Sequence, residues 1–315
     1  MAFSSATHDI AADGFYMHAL SSHDQAWMIG IRNTFYRFAI LFGQGLLVMI
    51  AGKLEIWTGN VTTAWSVTYG LLGGLFIIFS IYHHWMLPLP KSDQPHPNPN
   101  LSETVRNFIN VFISFFKKPK MGIVIIFILL YRFGEAQLVK IAPLFMLDSI
   151  EAGGLGLTTI ELGFSSGTIG TIMLTIGGIM GGFFAAKHGL KFWIIWMALA
   201  MKLPDLVYVF MAGTQPESYP LINIFIAIEQ FGYGFGFTAS LLFMMMVSDG
   251  KNKTAHYAIC TGFMALGMMI PGMFSGALQE SIGYYYFFIW VMVATIPGLI
   301  LIKFLPIDSN FGKKE

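Results

Sequence analysis

Charge is what this sequence has least of. Asp, Glu, Lys and Arg make up 11% of its 315 residues, against 55% hydrophobic residues and a mean hydropathy of +0.65. A soluble domain carries roughly 25% charged residues, so a fully water-covered surface is excluded and the apolar excess requires a lipid solvent. Cysteine is nearly absent. Cys260 stands alone, which excludes an internal disulfide and any multi-cysteine metal site; it reads as a small core residue. The first residues lack a basic stretch followed by an apolar core, so no cleavable signal peptide is visible. No HExxH, GxSxG or Walker-type loop occurs, and the adjacent His8 and Asp9 point to different faces of a helix, which makes no metal site by itself. No catalytic residue, metal or cofactor is therefore expected, and no basic cluster suits nucleic acid.

Long apolar runs, by contrast, fill the chain. A bilayer crossing takes about 20 mostly apolar residues. Eight stretches meet that length, at roughly 28–52, 63–85, 121–147, 160–186, 191–212, 220–248, 256–280 and 282–304, and residues 1–20 read as the tail of a further span. Soluble core helices do not occur at this length in such number. The fold class is all-α integral membrane. Alternate connections collect the basic residues: Lys91, Arg106, Lys117, Lys118 and Lys120, then Lys187 and Lys191, then Lys251 and Lys253, then Lys303, Lys313 and Lys314. The intervening connections hold only Lys53, so the positive-inside rule predicts a multi-pass protein with a cytoplasmic C-terminus.

One stretch breaks the apolar pattern. Residues 86–120 open on LPLPKSDQPHPNPN, rich in Pro and Asn, and read as an extended cytoplasmic linker. Within it, 101–116 is apolar on one face and predicts a helix lying along the membrane surface. Three segments follow: 1–85, the remainder of an N-terminal helical bundle; the linker, 86–120; and a C-terminal six-helix bundle, 121–315. If the protein is built from two similar halves, about three and a half helices are missing before residue 1.

Charges at membrane depth cost several kcal/mol, by estimates from about 2.5 to over 10, so they face protein or a water-filled path. Asp9 and Asp13 are four residues apart on one face of the first helix. Neither has a basic residue at helical spacing, which leaves them to a partner on another helix, such as Arg37, or to a proton. Arg132 and Glu135 sit mid-span at i,i+3, and Lys202 and Asp205 repeat that spacing around Pro204; each pair reads either as a self-neutralising ion pair or as part of a substrate path. Glu229 stands without a charged partner in a long apolar span. Asp9, Asp13 and Glu229 are the proton-coupling candidates, since a desolvated carboxyl is suited to bind and release protons. Arg37, Arg132, Glu135, Lys202, Asp205, Tyr131 and Tyr233 are the substrate-path candidates. Arg32 and Lys140 read as anchors near span ends.

The 34 glycines are patterned. Gly163 and Gly167, Gly177 and Gly181, and Gly178 and Gly182 are at small-xxx-small spacing, which lets helix backbones approach closely. The run EQFGYGFGF, with Gly232, Gly234 and Gly236, predicts a thin or bendable helix. Phe237, like the two tyrosines, reads either as packing or as the wall of a sugar path.

Residues 182–191, GFFAAKHGLK, resemble the major facilitator loop signature, which usually has Asp where Ala186 stands and Arg where Leu190 stands. Residues 6–13, ATHDIAAD, resemble the ATQDIxxDA segment of AmpG-type permeases, with His8 in place of Gln, Gly14 in place of Ala, and His18 where Glu is frequent. YRFGEA at 131–136, EQFGYGFG at 229–236 and the segment from Thr254 through Pro271 and Gly276 to IGYYYFFI continue the similarity in the same order. The resemblance implies a twelve-helix major facilitator fold lacking about its first three and a half helices, with residues 1–20 in the fourth. It implies a proton-coupled importer of anhydro-muropeptides or a related sugar conjugate in the bacterial inner membrane, monomeric if full length, with small-molecule substrate, protons and the lipid bilayer as its partners. Acetyl-CoA or another solute transported on the same fold, or a membrane sensor without transport, remain the alternatives.

Overall fold

The computed structural model describes residues 2–43, 47–87 and 100–312. Helices account for nearly all of them, and no strand occurs among the described residues. The proline-rich opening of the linker, residues 88–99, lies outside the described residues. The chain divides into two compact units, Arg32–Pro95 and the larger Met1–Ile31 with His96–Glu315.

In the smaller unit, α3 (Leu47–Thr58) and α4 (Val61–Met86) form a hairpin, following the part of α2 (Ser22–Leu41) that lies beyond Ile31. The turn is a residue-level consequence of its sequence: Gly59 adopts φ 66°, and the Asn60 side chain accepts the amide of Thr63 at 3.1 Å to cap α4. The C-terminal half of α4 exposes Phe76, Ile77, Ile78, Ile81 and Trp85, an apolar surface that lipid can cover.

The larger unit opens with α1 (Ala2–Ala19) and the first part of α2. Then come α5 (Leu101–Phe116), α6 (Met121–Tyr131), α7 (Phe133–Leu147), the single turn α8 (Thr159–Leu162), α9 (Thr171–His188), α10 (Leu190–Lys202), α11 (Leu206–Thr214), α12 (Tyr219–Ser248) and α13 (Lys253–Leu301). Six helices or helix pairs among the described residues are long and apolar enough to cross a membrane: Val61–Met86, Met121–Leu147, Gly163–His188, Leu190–Thr214, Tyr219–Ser248 and Lys253–Phe304. The last is long enough to cross twice and is broken at Gly283, whose φ of 74° and ψ of 166° are not helical. It therefore supplies the two expected spans as arms 253–282 and 284–301. The expected span at 28–52 is represented by α2 and α3, with residues 44–46 between them outside the described set.

α12 is the central helix of this unit, packed by α9 on one side and α10 on the other. Its glycine run allows this. A Cβ on Gly234 would lie 2.0 Å from the carbonyl oxygen of Leu174 on α9, and one on Gly232 would lie 2.0 Å from that of Ala200 on α10. The facing Gly177 on α9 meets the Phe231 carbonyl in the same way. The run thus thins a continuous helix rather than bending it. Gly163 and Gly167 do not take part in such packing: both are open, in a π-helical stretch at Gly163–Gly170. The core is formed by large apolar side chains, among them Phe127, Phe145, Phe243, Phe287 and Phe288, all buried.

The loops sort by charge. At one end Lys118 donates to the carbonyls of Val247 and Asp249 at 2.7 and 2.8 Å, and Leu190 N donates to Phe311 O at 3.1 Å. The first two contacts join the 117–120 and 249–253 connections, and the third joins the 187–191 and 303–312 connections. At the opposite end Tyr284 donates to Asp148 at 2.5 Å, and the Gln215 amide bridges the carbonyls of Ile150 and Gly154. Helix α5 docks on α13 through Phe115 and a 2.9 Å contact between Ser114 and His256, and leaves Val105, Phe108, Ile109, Phe112, Ile113 and Phe116 exposed.

Candidate functional site

Two spans of the larger unit are discontinuous, and charged residues stand at both breaks. In Met121–Leu147 the helix is interrupted at Arg132, which takes φ −108° and ψ 14° between α6 and α7. In Leu190–Thr214 the interruption is the 3₁₀ turn Leu203–Asp205 carrying Pro204, a residue that removes a backbone donor and clashes with the preceding turn. Broken helices place polar backbone and side chains inside a membrane domain, where they are tolerated when enclosed by protein or lining a cavity. Arg132 lies eleven residues into its span, Lys202 twelve and Glu229 ten. At 1.5 Å per residue these are about 15–18 Å from the ends, near the middle of a layer about 30 Å thick.

The groups meet around Glu135, which is 2% exposed. The Arg132 guanidinium donates to Glu135 Oε1 at 2.7 Å and, through Nε, to Oε2 at 3.4 Å. From α10 the Lys202 ammonium approaches Glu135 Oε2 to 3.9 Å. Arg132 also donates to the Tyr233 hydroxyl at 2.6 Å and lies over the Phe237 ring, 4.5 Å from its centre. One carboxylate therefore faces two cations from two different spans, with an aromatic wall from α12 against the guanidinium. Gly134 makes this possible locally, because a side chain there would meet the Val291 carbonyl on α13 at 2.7 Å.

A second group lies beside the first. Glu229 Oε2 on α12 accepts the Gln230 amide at 2.8 Å and the Tyr208 hydroxyl at 3.5 Å. Asp205 is within electrostatic range of Lys202, Glu229 and Glu135. Its Oδ2 and the Lys202 Nζ are buried with no hydrogen-bond partner.

The expected residues thus fall into distinct sets. Arg132, Glu135, Lys202, Asp205, Glu229 and Tyr233 come together. Tyr131 is buried at the edge of the cluster, its hydroxyl donated to the Gly236 carbonyl at 2.9 Å and its ring 5.3 Å from the Lys202 ammonium. The Lys202–Asp205 spacing suggested a pair within one helix; the close ion contact of Lys202 runs instead across to Glu135. Glu229 has a hydrogen-bonding neighbour in its own helix, Gln230. On α1, Asp13 is buried and Asp9 is exposed, although they share a helix face. The side chain of Arg37 lies outside the described residues, and Lys140 is exposed near a span end. Tyr208, Gln230 and the guanidinium contact of Phe237 were not anticipated as parts of the site. Tyr208, at i+3 from Asp205, was the one with a readable signal.

No protein-family model matches the chain. It is 22% identical over 309 residues to a putative transporter, AmpG 4, of Rickettsia felis, covering 97% of this chain and 70% of that protein. Identity is 23% over 316 residues with the AmpG 4 protein of Rickettsia conorii, covering 98% and 72%. With the anhydromuropeptide permease of Escherichia coli it is 23% over 318 residues, covering 99% of this chain and 61% of that permease. Over nearly its whole length the chain, an all-α fold whose described residues include six helices long and apolar enough to span a membrane, is similar to proteins named as AmpG transporters and as an anhydromuropeptide permease.

Proposed function

We propose that the chain is a proton-coupled secondary transporter that imports anhydro-muropeptides or a related sugar conjugate across a bacterial inner membrane, with its lysine-rich end in the cytoplasm. The observation that carries this reading is the buried cluster of Arg132, Glu135 and Lys202 at mid-membrane depth, where two broken spans meet α12. A buried ion cluster contributes little to stability compared with apolar packing, whereas ionisable groups at this depth mark substrate and ion pathways. Arg132 is suited to an anionic substrate group, because its planar guanidinium binds carboxylates in fork geometry. Tyr233 and Phe237 supply ring faces of the kind that line sugar sites. The relative named for anhydromuropeptide supports the substrate class. In this reading Asp13 and Glu229 are the coupling carboxyls, and Asp9, which is exposed, is not.

Uptake of a labelled anhydro-muropeptide into proteoliposomes under an imposed inward proton gradient tests the proposal. Accumulation above the external level, abolished by a protonophore and competed by unlabelled muropeptide, is the expected result. Competition by acetyl-CoA, free sugars or free peptides in its place would replace the substrate. No uptake of any of them would replace transport with a sensing or accessory role. An Asp13→Asn protein that still accumulated substrate against its gradient would remove Asp13 from coupling.

A further inference from the structure

The buried cluster is not electrically balanced. Arg132 and Lys202 contribute two positive charges, while Glu135, Asp205 and Glu229 contribute three carboxyls, and all five residues are more than nine-tenths buried. Glu135 takes up both cations, Arg132 at 2.7 Å and Lys202 at 3.9 Å. Glu229 accepts hydrogen bonds from two neutral donors, Gln230 and Tyr208. Asp205 keeps one oxygen without any donor, and the Lys202 ammonium has no acceptor although it is aimed into the cluster. The groups that face this space come from three spans. α6 and α7 bring Tyr131, Arg132 and Glu135. α10 brings Lys202, the 3₁₀ turn brings Asp205, α11 brings Tyr208, and α12 brings Glu229 and Tyr233.

Burying an ion without a counter-charge is costly enough that the group takes the neutral form instead. Two fixed cations and three carboxyls are neutral when one proton is bound. We propose that Asp205 and Glu229 hold one exchangeable proton between them, which makes this pair an ion-coupling site of the larger unit in addition to Asp13. Glu135 stays ionised between its two cations. The step is the addition of a proton to one carboxylate oxygen and its later release, with no other bond made or broken. Asp205 Oδ2, which no donor occupies, is the atom open to it. Lys202, within range of both Glu135 and Asp205, is the cation left to balance Asp205 when the proton departs. Its role in coupling rests on the transport reading above; the presence of the proton does not.

The two are separated by a measurement that needs no substrate. Infrared difference spectra of the full-length protein in lipid nanodiscs, recorded across about pH 5 to pH 9 in H₂O and D₂O, detect the carbonyl stretch of protonated buried carboxyls. The expected result is a titrating, deuterium-sensitive band, of which one carboxyl's worth is lost in both Asp205→Asn and Glu229→Gln and retained in the surface variant Asp308→Asn. Lys202→Met, which removes a cation, is expected to double that component. Absence of a titrating band in the wild-type protein, which needs no variant to fold, overturns the proposal, as does a band that survives in both variants. A normal band in a protein that transports nothing refutes the transport reading alone. Proton-driven uptake without the band refutes the shared proton alone.

Discussion

Lys253, at the start of α13, donates its ammonium to the main-chain carbonyl of Met17 on α1 at 2.6 Å. The same carbonyl accepts the Gln25 amide at 3.2 Å, and Gln25 also reaches the carbonyl of Leu20. The last carbonyls of a helix have no partner within it, so α1 is terminated by a side chain from a segment more than two hundred residues away. Close packing of Gly14 on Thr254 accompanies the contact. Lys253→Met is expected to lower stability by about 1.5–3 kcal/mol, the range for a hydrogen bond from a charged donor. Hydrogen exchange should accelerate in peptides covering 14–25 and stay unchanged around 284–301; uniform acceleration would mean that the contact holds the whole unit rather than α1.

The glycine seam of α12 predicts an all-or-none pattern of substitution. Gly234→Ala places a methyl 2.0 Å from a backbone carbonyl that cannot move without shifting α9, and overpacking of this kind costs about 1–3 kcal/mol or more. Gly276→Ala adds the same methyl where nothing lies within 4 Å and is expected to be neutral or slightly stabilising. Thermal unfolding of both variants in detergent, side by side, checks this. A similar midpoint for the two would mean that α9 and α12 are not in contact at Gly234.

Removing the guanidinium from the buried pair should be worse than removing the pair. Arg132→Ala leaves Glu135 buried with Lys202 at 3.9 Å as its nearest cation, a change expected to cost about 3–5 kcal/mol. The double variant Arg132→Ala, Glu135→Ala is expected to recover part of that loss, and chemical unfolding in bicelles measures the difference. Strict additivity of the two single effects would show that the residues do not act as a pair.

Outside the membrane, Thr158 and Glu161 form a capping box at the start of α8. The Thr158 hydroxyl accepts the Glu161 amide at 3.2 Å, and the Glu161 carboxylate accepts from both the Thr158 amide and the Thr158 hydroxyl, at 2.9 and 2.8 Å. These bonds hold the Glu161 carboxyl below its ordinary value of 4.5. A carboxyl shifted down stabilises the folded form above its unfolded value, and that contribution fades as pH falls through the folded one. The amides of Thr158 and Glu161 should therefore lose protection below about pH 4.5 before the rest of the unit does, an order that residue-resolved hydrogen exchange reads directly.

Helix α5 presents Phe108, Ile109 and Phe112 on one exposed face and Glu103, Arg106 and Asn107 on another. Spin labels at 108 and 112 are expected to be relaxed by lipid-soluble oxygen, and labels at 103 and 107 by a water-soluble nickel chelate. Equal access of the chelate to all four positions would take the helix off the membrane surface.

Much of this arrangement was legible because bilayer thickness sets a length that sequence must meet. The spans at 121–147 and 220–248 needed only counting. The boundary near 281 came from the span lengths, whereas the break at Pro204 interrupts a span, 191–212, that was expected to be continuous. The break at Arg132 had no such marker, since YRFGEA contains no proline; it follows from contacts that only the folded unit supplies. The i,i+3 spacing of Lys202 and Asp205 pointed within one helix, whereas a long ammonium side chain also reaches a neighbouring helix. The glycines of α12 announced close approach but not the partners. Gly232 and Gly234 are about 200° apart around the axis, so they serve α10 and α9 respectively, and assigning them requires the tertiary arrangement.

The placement of Arg132 with Glu135, and of Lys202 with Asp205, has a consequence for biosynthesis. Each of these two segments reaches the insertion machinery with its deep acid and deep base already together, so each can partition into lipid as a neutral unit. The segment 219–248 is different, for Glu229 is its one charged residue. A lone acid at mid-span raises the insertion free energy by about 2.5–3.5 kcal/mol on translocon scales. It emerges from the ribosome after Tyr208, its hydroxyl donor. Insertion of that segment is therefore expected to be eased when 190–214, which carries Tyr208, is already in the membrane.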